Sequence, residues 1–448
     1  MLIRELHIQN FRRFEDLKVS FEDDLTVLVA RNGQGKSTIL DAITVLLGPF
    51  VGAFDLGRSK GFAPADARQE LHQDTQTFRL NAHWPIRVEG KVAFPRIDSN
   101  EFSHDLVDHE IARQLSGYKG STTVGEAACL RRYGLLLQDN LNRLADNILP
   151  VLAYYGTNRL WKTHKNLSRK KVLTENRSIA YEDCFSSGSN YLQVQQWMAK
   201  ATMLKIQQSD PLLVPQVGMM AARLEGIQEA VDAVLREEGW SRFGYYLSFE
   251  ELAMYHNELG LLPVSQLSDG IRGVVALVAD LAFRCVRLNS FYGQHAPEET
   301  NGIVLIDEIE QHLHPGWQQR ILPSLRNAFP RIQFVVTTHS PEVLSTADSQ
   351  QIRILDNGKC YGAPAGALGA ESSRLLQTVL GLKSLRPPVN EVAELNEYLE
   401  LVYTGRWKDP RAVALRQKLD QLYQGEEPAL LEADLQIENQ EWESAAAP

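Results

Sequence analysis

The chain has 448 residues, a net charge of −10 and a hydrophobic content of 44%. This length allows two or three domains with ample core, and the composition is ordinary for a globular protein. The negative charge excludes a protein whose whole surface binds nucleic acid, so any such contact requires a local basic patch.

Signals for membrane insertion, secretion and metal-binding cysteines are also missing from the sequence pattern. No apolar run approaches the ~20 residues of a membrane span, and the N-terminus has no signal-peptide core. The four cysteines are far apart and match no zinc or redox spacing. We therefore expect a cytoplasmic protein with no membrane contact.

The first residues alternate between apolar and polar. LIRELHIQNFRRFEDLKVSF, residues 2–21, predicts two strands joined by a turn near Arg13. Arg12 or Arg13 could contact a nucleotide, because guanidinium suits phosphate and also stacks on a base. A solvated charged turn is the alternative.

A strand-to-helix turn follows. Residues 25–29 are an apolar run that predicts a buried strand, and residues 37–47 have helical spacing. Between them lies ARNGQGKST, residues 30–38, which is rich in small residues. This context is typical of a phosphate-binding loop.

Each residue type in this loop suits phosphate chemistry. Gly33 and Gly35 let backbone N–H groups turn toward a phosphate at the positive end of the new helix. Lys36 would reach the β- and γ-phosphates, and the Ser37 hydroxyl would hold Mg²⁺. Ala30 replaces the usual first glycine, which is tolerable if the backbone there does not need a positive φ.

The next 200 residues carry weaker patterns. They predict a loop over 51–76, a hairpin over 77–94 turning through Pro85 to Gly90, helices over 102–115 and 126–149, a buried strand over 149–155, helices over 191–204 and 217–235, and short strands over 245–263.

A basic run follows the predicted strand 149–155. Glu175 is the one acidic residue within this run. The run either contacts nucleic-acid phosphates or an acidic partner protein, or it is a solvated loop. Its members are Arg159, Lys162, Lys165, Arg169, Lys170, Lys171 and Arg177.

A second candidate anion site is LSDGIR, residues 267–272, which opens an apolar helix predicted over 274–283. Ser268 and Gly270 at a helix N-terminus suit an anion. For this hexapeptide alone, an ordinary serine cap is the alternative.

Residues 302–308, GIVLIDE, predict an apolar strand that ends in two carboxylates. Asp307 would hold Mg²⁺, directly or through water, and Glu308 would polarise the attacking water as general base.

The turn after these carboxylates contains Glu310, His312 and His314, whose alternate spacing is also that of metal ligands. We prefer a contact between two nucleotide-binding subunits as the use of this turn. A helix is predicted over 317–328.

The next strand is predicted over 332–336 and ends in TTHSP, where His339 can contact a γ-phosphate. Ligands of parallel sheets bind at the carboxyl ends of strands. Because the phosphate loop, the carboxylates and His339 all follow strands, we expect them to meet at one edge.

The C-terminal part predicts a last strand over 351–356 and helices over 371–382 and 388–423. Residues 426–443 contain seven acids and no base, so this segment is either an acidic interaction tail or a solvated one.

The ordered motifs NGQGKST, LSDGIR, VLIDE with EQHLHP, and TTHS resemble the ATP-binding cassette (ABC) superfamily, in its branch of SMC-type, RecF-type and OLD-type ATPases. The opening LHIQNFRRF resembles that branch too, and the matching blocks cover residues 1–48, 265–285 and 300–356. The resemblance implies an α/β fold: an ABC-type P-loop ATPase with a mixed sheet core, a β-rich ATP-binding lobe, a helical insertion lobe and a helical C-terminal extension.

We expect five parts in this chain. They are the N-terminal part of the ATPase head (1–100), a mostly helical insertion with the basic segment (101–260), the C-terminal part of the head (261–360), a helical extension (361–425) and an acidic tail (426–448).

The resemblance also implies roles for individual residues. Glu308 would be the base, His339 the switch histidine and Asp307 a metal ligand together with Ser37. Gln73 and Gln76 are both candidates for the family's Q-loop glutamine. Contacts to ATP would come from Arg12, Asn32, Gly33, Gly35, Lys36, Ser37 and Thr38, and from Ser268 and Gly270 across a dimer interface.

Softer motifs resemble the PtuA ATPases of Septu antiphage systems, which work with an HNH nuclease and sometimes with a retron. They are LPVLAYYGTNRLW, YEDCFSSGSNYLQVQQWM and the Arg-Pro-containing helical C-terminus. This implies ATP and Mg²⁺, an ATP-sandwich homodimer or higher oligomer, an HNH nuclease partner and possible contact with a retron reverse transcriptase and its RNA or DNA. A RecF-like binder of DNA gaps or ends is the main alternative, and an OLD-like nuclease is disfavoured because fewer than a hundred, mostly helical, residues follow Asp356.

Overall fold

The computed structural model describes residues 1–73, 78–98, 101–143, 146–157, 176–186, 188, 191–206 and 214–446. The chain divides into two compact units, residues 1–380 and 381–448. Each unit has its own hydrophobic core. The finer division into five parts stays a prediction.

The larger unit mixes strands and helices. Its described strands are β1 (Leu2–Phe11), β2 (Phe14–Ser20), β3 (Leu25–Ala30), β4 (Gln69–Gln73), β5 (Phe78–Ala82), β6 (Ile86–Asp98), β7 (Glu101–Leu115), β8 (Val151–Tyr155), β9 (Trp240–Tyr246), β10 (Glu251–His256), β11 (Gly260–Pro263), β12 (Gly302–Ile306), β13 (Ile332–Thr338), β14 (Ile352–Asp356) and β15 (Lys359–Gly362). Its described α-helices are α1 (Lys36–Val51), α2 (Ala128–Asn142), α3 (Tyr191–Ile206), α4 (Val214–Leu235), α5 (Asp269–Leu288), α6 (Ala296–Glu299), α7 (Pro315–Gln318), α8 (Ile321–Ala328), α9 (Pro341–Leu344) and α10 (Ser372–Thr378).

A six-stranded mixed sheet in the order β15-β14-β3-β13-β12-β8 forms the centre of this unit. Its strands are parallel except for β15, which is antiparallel to β14. Strands β3, β8, β12 and β13 are buried along their whole length, so their sequences are largely apolar and do not alternate. The carboxyl ends of β3, β12 and β13 meet at one edge, as the sequence predicts.

An antiparallel sheet in the order β2-β1-β6-β7 forms a second layer. The two strands and the turn near Arg13 that the alternation predicts are confirmed by β1 and β2. Strand β2 buries Phe14, Leu17 and Val19 and exposes its polar residues, as expected for a sheet with one face on the core. This sheet and the mixed sheet together contain ten of the described strands of the unit.

The helix predicted over 102–115 is wrong, because this segment is strand β7. Its apolar residues, such as Ile111 and Leu115, are four apart, which suits a helix face but also fits a strand. Pairing with β6 along most of its length, from Leu115 opposite Ile86 to Glu101 opposite Asp98, decides between the two. The part of the chain predicted as a mostly helical insertion therefore begins with a strand.

The hairpin predicted over 77–94 is also wrong. Strand β5 pairs with β4, and β6 pairs with β1 and β7. Because β4 lies within 51–76, the loop predicted there is wrong over that strand. Local alternation identified strands here, but it carries no information on which strand is the partner.

Most other elements agree with the predictions, with shifted ends. Helices α3, α4 and α5, strand β8 and the short strands β9 to β11 are confirmed. The helix predicted over 317–328 is divided into α7 and α8, and the helix predicted over 126–149 ends at Asn142. Strand β15 was not predicted.

The smaller unit is helical. It consists of α11 (Asn390–Tyr403), α12 (Pro410–Tyr423) and α13 (Pro428–Ala446). The helix predicted over 388–423 is thus divided into α11 and α12, and most of the acid-rich segment forms α13. Leu395, Leu419 and Leu430 lie in its core. None of the helices in the described part of the chain is long and apolar enough to cross a membrane.

Gln333 on β13 joins the central sheet to the antiparallel sheet. Its side chain is fully buried, accepts a hydrogen bond from the Ile3 N–H at 2.8 Å, and donates to the carbonyls of Ile3 at 2.7 Å and Glu22 at 2.8 Å. Buried backbone groups need partners, so this one amide satisfies three groups where the two sheets meet.

We expect Gln333→Leu to destabilise the larger unit by about 2–4 kcal/mol, because each buried group left without a partner costs roughly 1–3 kcal/mol. Urea unfolding followed by tryptophan fluorescence measures this as a lower midpoint. Gln350→Leu, which changes an exposed glutamine, is the control. Equal midpoints for the two variants would contradict the role given to Gln333.

Candidate functional site

The candidate phosphate-binding loop, residues 30–38, joins β3 to α1. Gly33 and Gly35 both have positive φ, +74° and +96°, which glycine adopts without strain. A Cβ on Gly35 would lie 2.5 Å from the Phe14 ring, so close packing as well as backbone geometry requires glycine there. Ala30 is the last residue of β3 and has extended backbone, which explains why alanine is tolerated.

Lys36 begins α1 and points back across the loop. Its Nζ donates to the Ala30 carbonyl at 3.3 Å and contacts Nε2 of His339. Burial lowers the pKa of Lys36, although the nearby carboxylates of Asp307, Glu308 and Glu310 favour its charged form. Burial, and then the charge of Lys36, lowers the pKa of His339.

Asp307 lies directly after β12 and is buried. Its Oδ2 accepts a hydrogen bond from the Ser37 hydroxyl at 2.7 Å, and its Oδ1 accepts one from the Thr337 hydroxyl at 2.6 Å. Its backbone N–H donates to the Tyr155 carbonyl at 2.8 Å. Thus α1, β8, β12 and β13 all contribute to the surroundings of one carboxylate.

The oxygens of Ser37 and Asp307 fit Mg²⁺. Mg²⁺ binds through few protein oxygens and takes its other ligands from water and substrate phosphates. A hydroxyl and a carboxylate 2.7 Å apart are such a set. Among the described residues, no group of three or more His, Cys, Asp or Glu side chains is placed to hold a metal ion by itself.

Glu308 is half-buried and has a left-handed backbone, with φ +47°. Its N–H donates to the Thr337 hydroxyl at 2.8 Å, so the same threonine that holds Asp307 also holds the backbone of Glu308. Sequence reasoning missed Thr337. The only available signal was its place in TTHS, next to the more conspicuous His339.

Glu310, His312 and His314 have separate contacts. Glu310 accepts a hydrogen bond from the His339 N–H at 2.5 Å, and Nδ1 of His314 accepts one from Gly316 N–H at 3.3 Å. The His312 carbonyl packs against Gly270 so closely that it leaves no room for a Cβ there. These contacts give the turn a positioning role and do not group the three residues as ligands.

Ser268 and Gly270 lie at the start of α5. The Ser268 hydroxyl accepts a hydrogen bond from the Ile271 N–H at 3.5 Å as a helix cap. Ser268 and Asp269 are exposed, while Gly270 is buried against the turn that follows the two carboxylates. Their proposed contact with ATP stays a prediction.

The two arginines near the loop differ. Arg12 donates to Asp41 at 2.7 Å and to Asp66 at 2.9 Å, so its guanidinium is committed to carboxylates on α1 and on the segment after it. Arg13 donates to the Gly33 carbonyl and lies against the phosphate loop. Arg12 as a nucleotide contact stays a prediction, as do Asn32, which is exposed, and Thr38, which is buried.

Several predicted residues lie outside the described part of the chain. The basic residues Arg159, Lys162, Lys165, Arg169, Lys170 and Lys171 do, and so do Gln76 and the side chain of Gln73. Arg177, the last member of the basic run, is described. Its Nε donates to the Leu288 carbonyl at 2.5 Å at the end of α5.

Comparison with protein families gives two matches. A family model described as "AAA domain" matches residues 5–238, and one described as "AAA domain, putative AbiEii toxin, Type IV TA system" matches residues 225–345. The first alone covers more than half of the chain.

Named relatives include two from retron and Septu systems and one from DNA repair. "Retron Ec83 probable ATPase" of Escherichia coli is 27% identical over 98% of this chain and 87% of its own length. "Septu protein PtuA" of Bacillus mycoides is 41% identical over 54% of this chain, which corresponds to 34% of that protein. "DNA replication and repair protein RecF" of Mannheimia succiniciproducens is 24% identical over 79% of this chain and 96% of that protein.

Among solved structures, an Smc head domain from Pyrococcus furiosus, bound to the C-terminal domain of ScpA, has a TM-score of 0.45 and 15% identity, covering 81% of this chain and 95% of that one. The family matches and the named relatives agree with the site geometry. The chain therefore belongs to the AAA domain family and is similar to a retron ATPase and to RecF.

Proposed function

We propose that this chain binds and hydrolyses ATP, dimerises around ATP, and regulates a partner nuclease in antiphage defence. The observation that carries the proposal is the position of Asp307 between the hydroxyls of Ser37 and Thr337, beside Lys36 and His339. The likeness to a retron ATPase and to a Septu protein supports the defence role.

The charges of the site suit a nucleotide that arrives with a divalent cation. The carboxylates of Asp307, Glu308 and Glu310 all lie near the Lys36 ammonium, so a cation that arrives with the nucleotide would reduce their repulsion of its phosphates. Ser37 and Asp307 would hold Mg²⁺, which supplies positive charge to the phosphate oxygens. Lys36 adds a second positive charge at the phosphates.

Glu308 suits the role of general base. It is half-buried, it directly follows Asp307, and Thr337 holds its backbone. In hydrolysis the oxygen of this water bonds to the γ-phosphorus, the bond from that phosphorus to ADP breaks, and Glu308 takes the water's proton. His339, whose backbone is held by Glu310, would contact the γ-phosphate.

Dimerisation would follow from the position of Ser268 and Gly270, here called the signature residues, at the start of α5, here called the signature helix. Ser268 is exposed at the N-terminus of α5, and its hydrogen bond is to Ile271 of its own helix. An exposed helix N-terminus attracts phosphate, so Ser268 and Gly270 would reach ATP held by a second subunit. Hydrolysis would remove the contacts that favour the closed dimer.

We expect Gly35→Ala to abolish most ATP binding and to lower stability by about 2 kcal/mol or more. A non-glycine residue at positive φ costs roughly 1–2 kcal/mol, and the new methyl group would also overlap the Phe14 ring. Gly33→Ala is the matched control, because it has a positive φ but open space beside its Cα. Thermal unfolding measures the stability of both variants, and an equal loss of stability in the two would contradict the packing argument.

Lys36→Ala and Glu308→Gln should separate binding from hydrolysis. We expect Lys36→Ala to lose nucleotide binding, and Glu308→Gln to bind ATP, hydrolyse it at least about 100-fold more slowly and accumulate as an ATP-bound dimer. Phosphate release and mass from light scattering, each with ATP and Mg²⁺, measure both effects. Glu298→Gln, an exposed carboxylate on α6, is the control. Hydrolysis by Glu308→Gln at the native rate would overturn the base assignment.

The regulatory role is tested with tagged Glu308→Gln protein recovered from its native host. We expect an HNH nuclease or a reverse transcriptase to be recovered with the ATP-bound dimer and not with Lys36→Ala. If the dimer is recovered without either partner and binds DNA gaps or ends, a RecF-like function is favoured instead. The similarity of the chain to RecF supports this alternative.

A further inference from the structure

A buried ion pair lies in the middle of the signature helix α5. Asp280 is fully buried, and its Oδ2 accepts a hydrogen bond from Nε of Arg284, one turn later, at 2.9 Å. The same oxygen accepts a hydrogen bond from the Tyr155 hydroxyl at 2.8 Å. Arg284 in turn donates to the Ala180 carbonyl at 2.5 Å.

Tyr155 connects this ion pair to the candidate ATP site. Its side chain contacts α5, while its backbone carbonyl accepts the Asp307 N–H at 2.8 Å. Asp307 in turn accepts the Ser37 hydroxyl at 2.7 Å. Three hydrogen bonds, linked through Tyr155 and Asp307, therefore connect α5 to the last residue of β8, to the residue after β12 and to the first turn of α1.

Stability alone does not explain such a pair. Removing two charges from water is costly, and apolar residues of similar volume often stabilise a core at least as well. A buried polar network does fix the relative position of its parts, because any displacement leaves a buried group without a partner. Burial also raises the pKa of Tyr155 well above its ordinary value, so the phenol remains a donor.

We propose that Tyr155 and Asp280 are positioning residues that hold the signature helix α5 in a fixed place relative to Asp307. The proposal rests on the ATP-dependent dimer described under the proposed function. In a symmetric dimer each subunit contributes a phosphate loop to one site and Ser268 to the other. Both sites close together only if the distance between these two parts of one subunit is correct, so the alignment is made in advance within each subunit.

The test is Tyr155→Phe in the Glu308→Gln protein, which removes one hydroxyl and leaves the Asp280–Arg284 pair. We expect the protein concentration for half-maximal dimerisation with ATP and Mg²⁺ to rise about 2- to 30-fold, the range typical of coupling residues. Binding of a fluorescent ATP analogue to the undimerised protein should change less than about twofold, because that contact uses the phosphate loop of one subunit alone.

Tyr181→Phe is the matched control. Its hydroxyl is also fully buried and also makes a hydrogen bond, to the Pro150 carbonyl at 2.7 Å, but it is not on the path between α5 and Asp307. Thermal unfolding of both variants gives the cost of losing one buried, hydrogen-bonded hydroxyl in general. We expect similar shifts in Tm but weaker dimerisation only for Tyr155→Phe.

Three results would overturn the proposal. If Tyr155→Phe and Tyr181→Phe dimerise equally well, α5 does not depend on Tyr155 and the proposed function stands. If Tyr155→Phe weakens nucleotide binding by the undimerised protein as much as it weakens dimerisation, its role is only structural. If Glu308→Gln with native Tyr155 forms no dimer with ATP, the proposed function fails together with this inference.

Discussion

The Asp307 carboxylate is the constraint on which the centre of the larger unit depends. A buried charge is tolerated only when its hydrogen-bonding capacity is met, and here the hydroxyls of Ser37 and Thr337 each donate to one of its oxygens. These hydroxyls belong to α1 and β13, while Asp307 follows β12. The arrangement that would bind Mg²⁺ is therefore also one that fixes the phosphate loop against the sheet.

Lys36 and His339 show how the same edge is prepared for an anion. Two groups that can each carry a positive charge lie in contact, and burial lowers the pKa of both. The uncharged form of His339 is thus favoured beside Lys36, which limits repulsion between them. Phosphate oxygens accept hydrogen bonds from both types of group, so a nucleotide can replace this contact with two stronger, charge-assisted ones.

The parts of this protein that the sequence predicts correctly are those formed by residues close together in the chain. Gly33, Gly35 and Lys36 were found because a strand, a glycine-rich turn and a helix follow one another within the chain. The partners of Asp307 were not all found, since Thr337 is distant in sequence and carries no signal of its own. The apolar spacing of β7 also suits a helix face and therefore predicts a helix, whereas the pairing with β6 that makes this segment a strand is a long-range contact.

Helix α5 is joined at two points to the segment that follows β12, residues 307–312, which limits how the helix can move. Near its N-terminus, Gly270 packs on the His312 carbonyl, in the turn that follows Glu308. Near its middle, Asp280 reaches β8 and, through Tyr155, the backbone of Asp307. A helix attached at two points about ten residues apart, roughly 15 Å, resists pivoting about either one. In the proposed dimer, a movement of the Glu308 segment after hydrolysis would therefore displace the whole of α5. The displaced part includes its N-terminal end, which would contact the nucleotide of the other subunit.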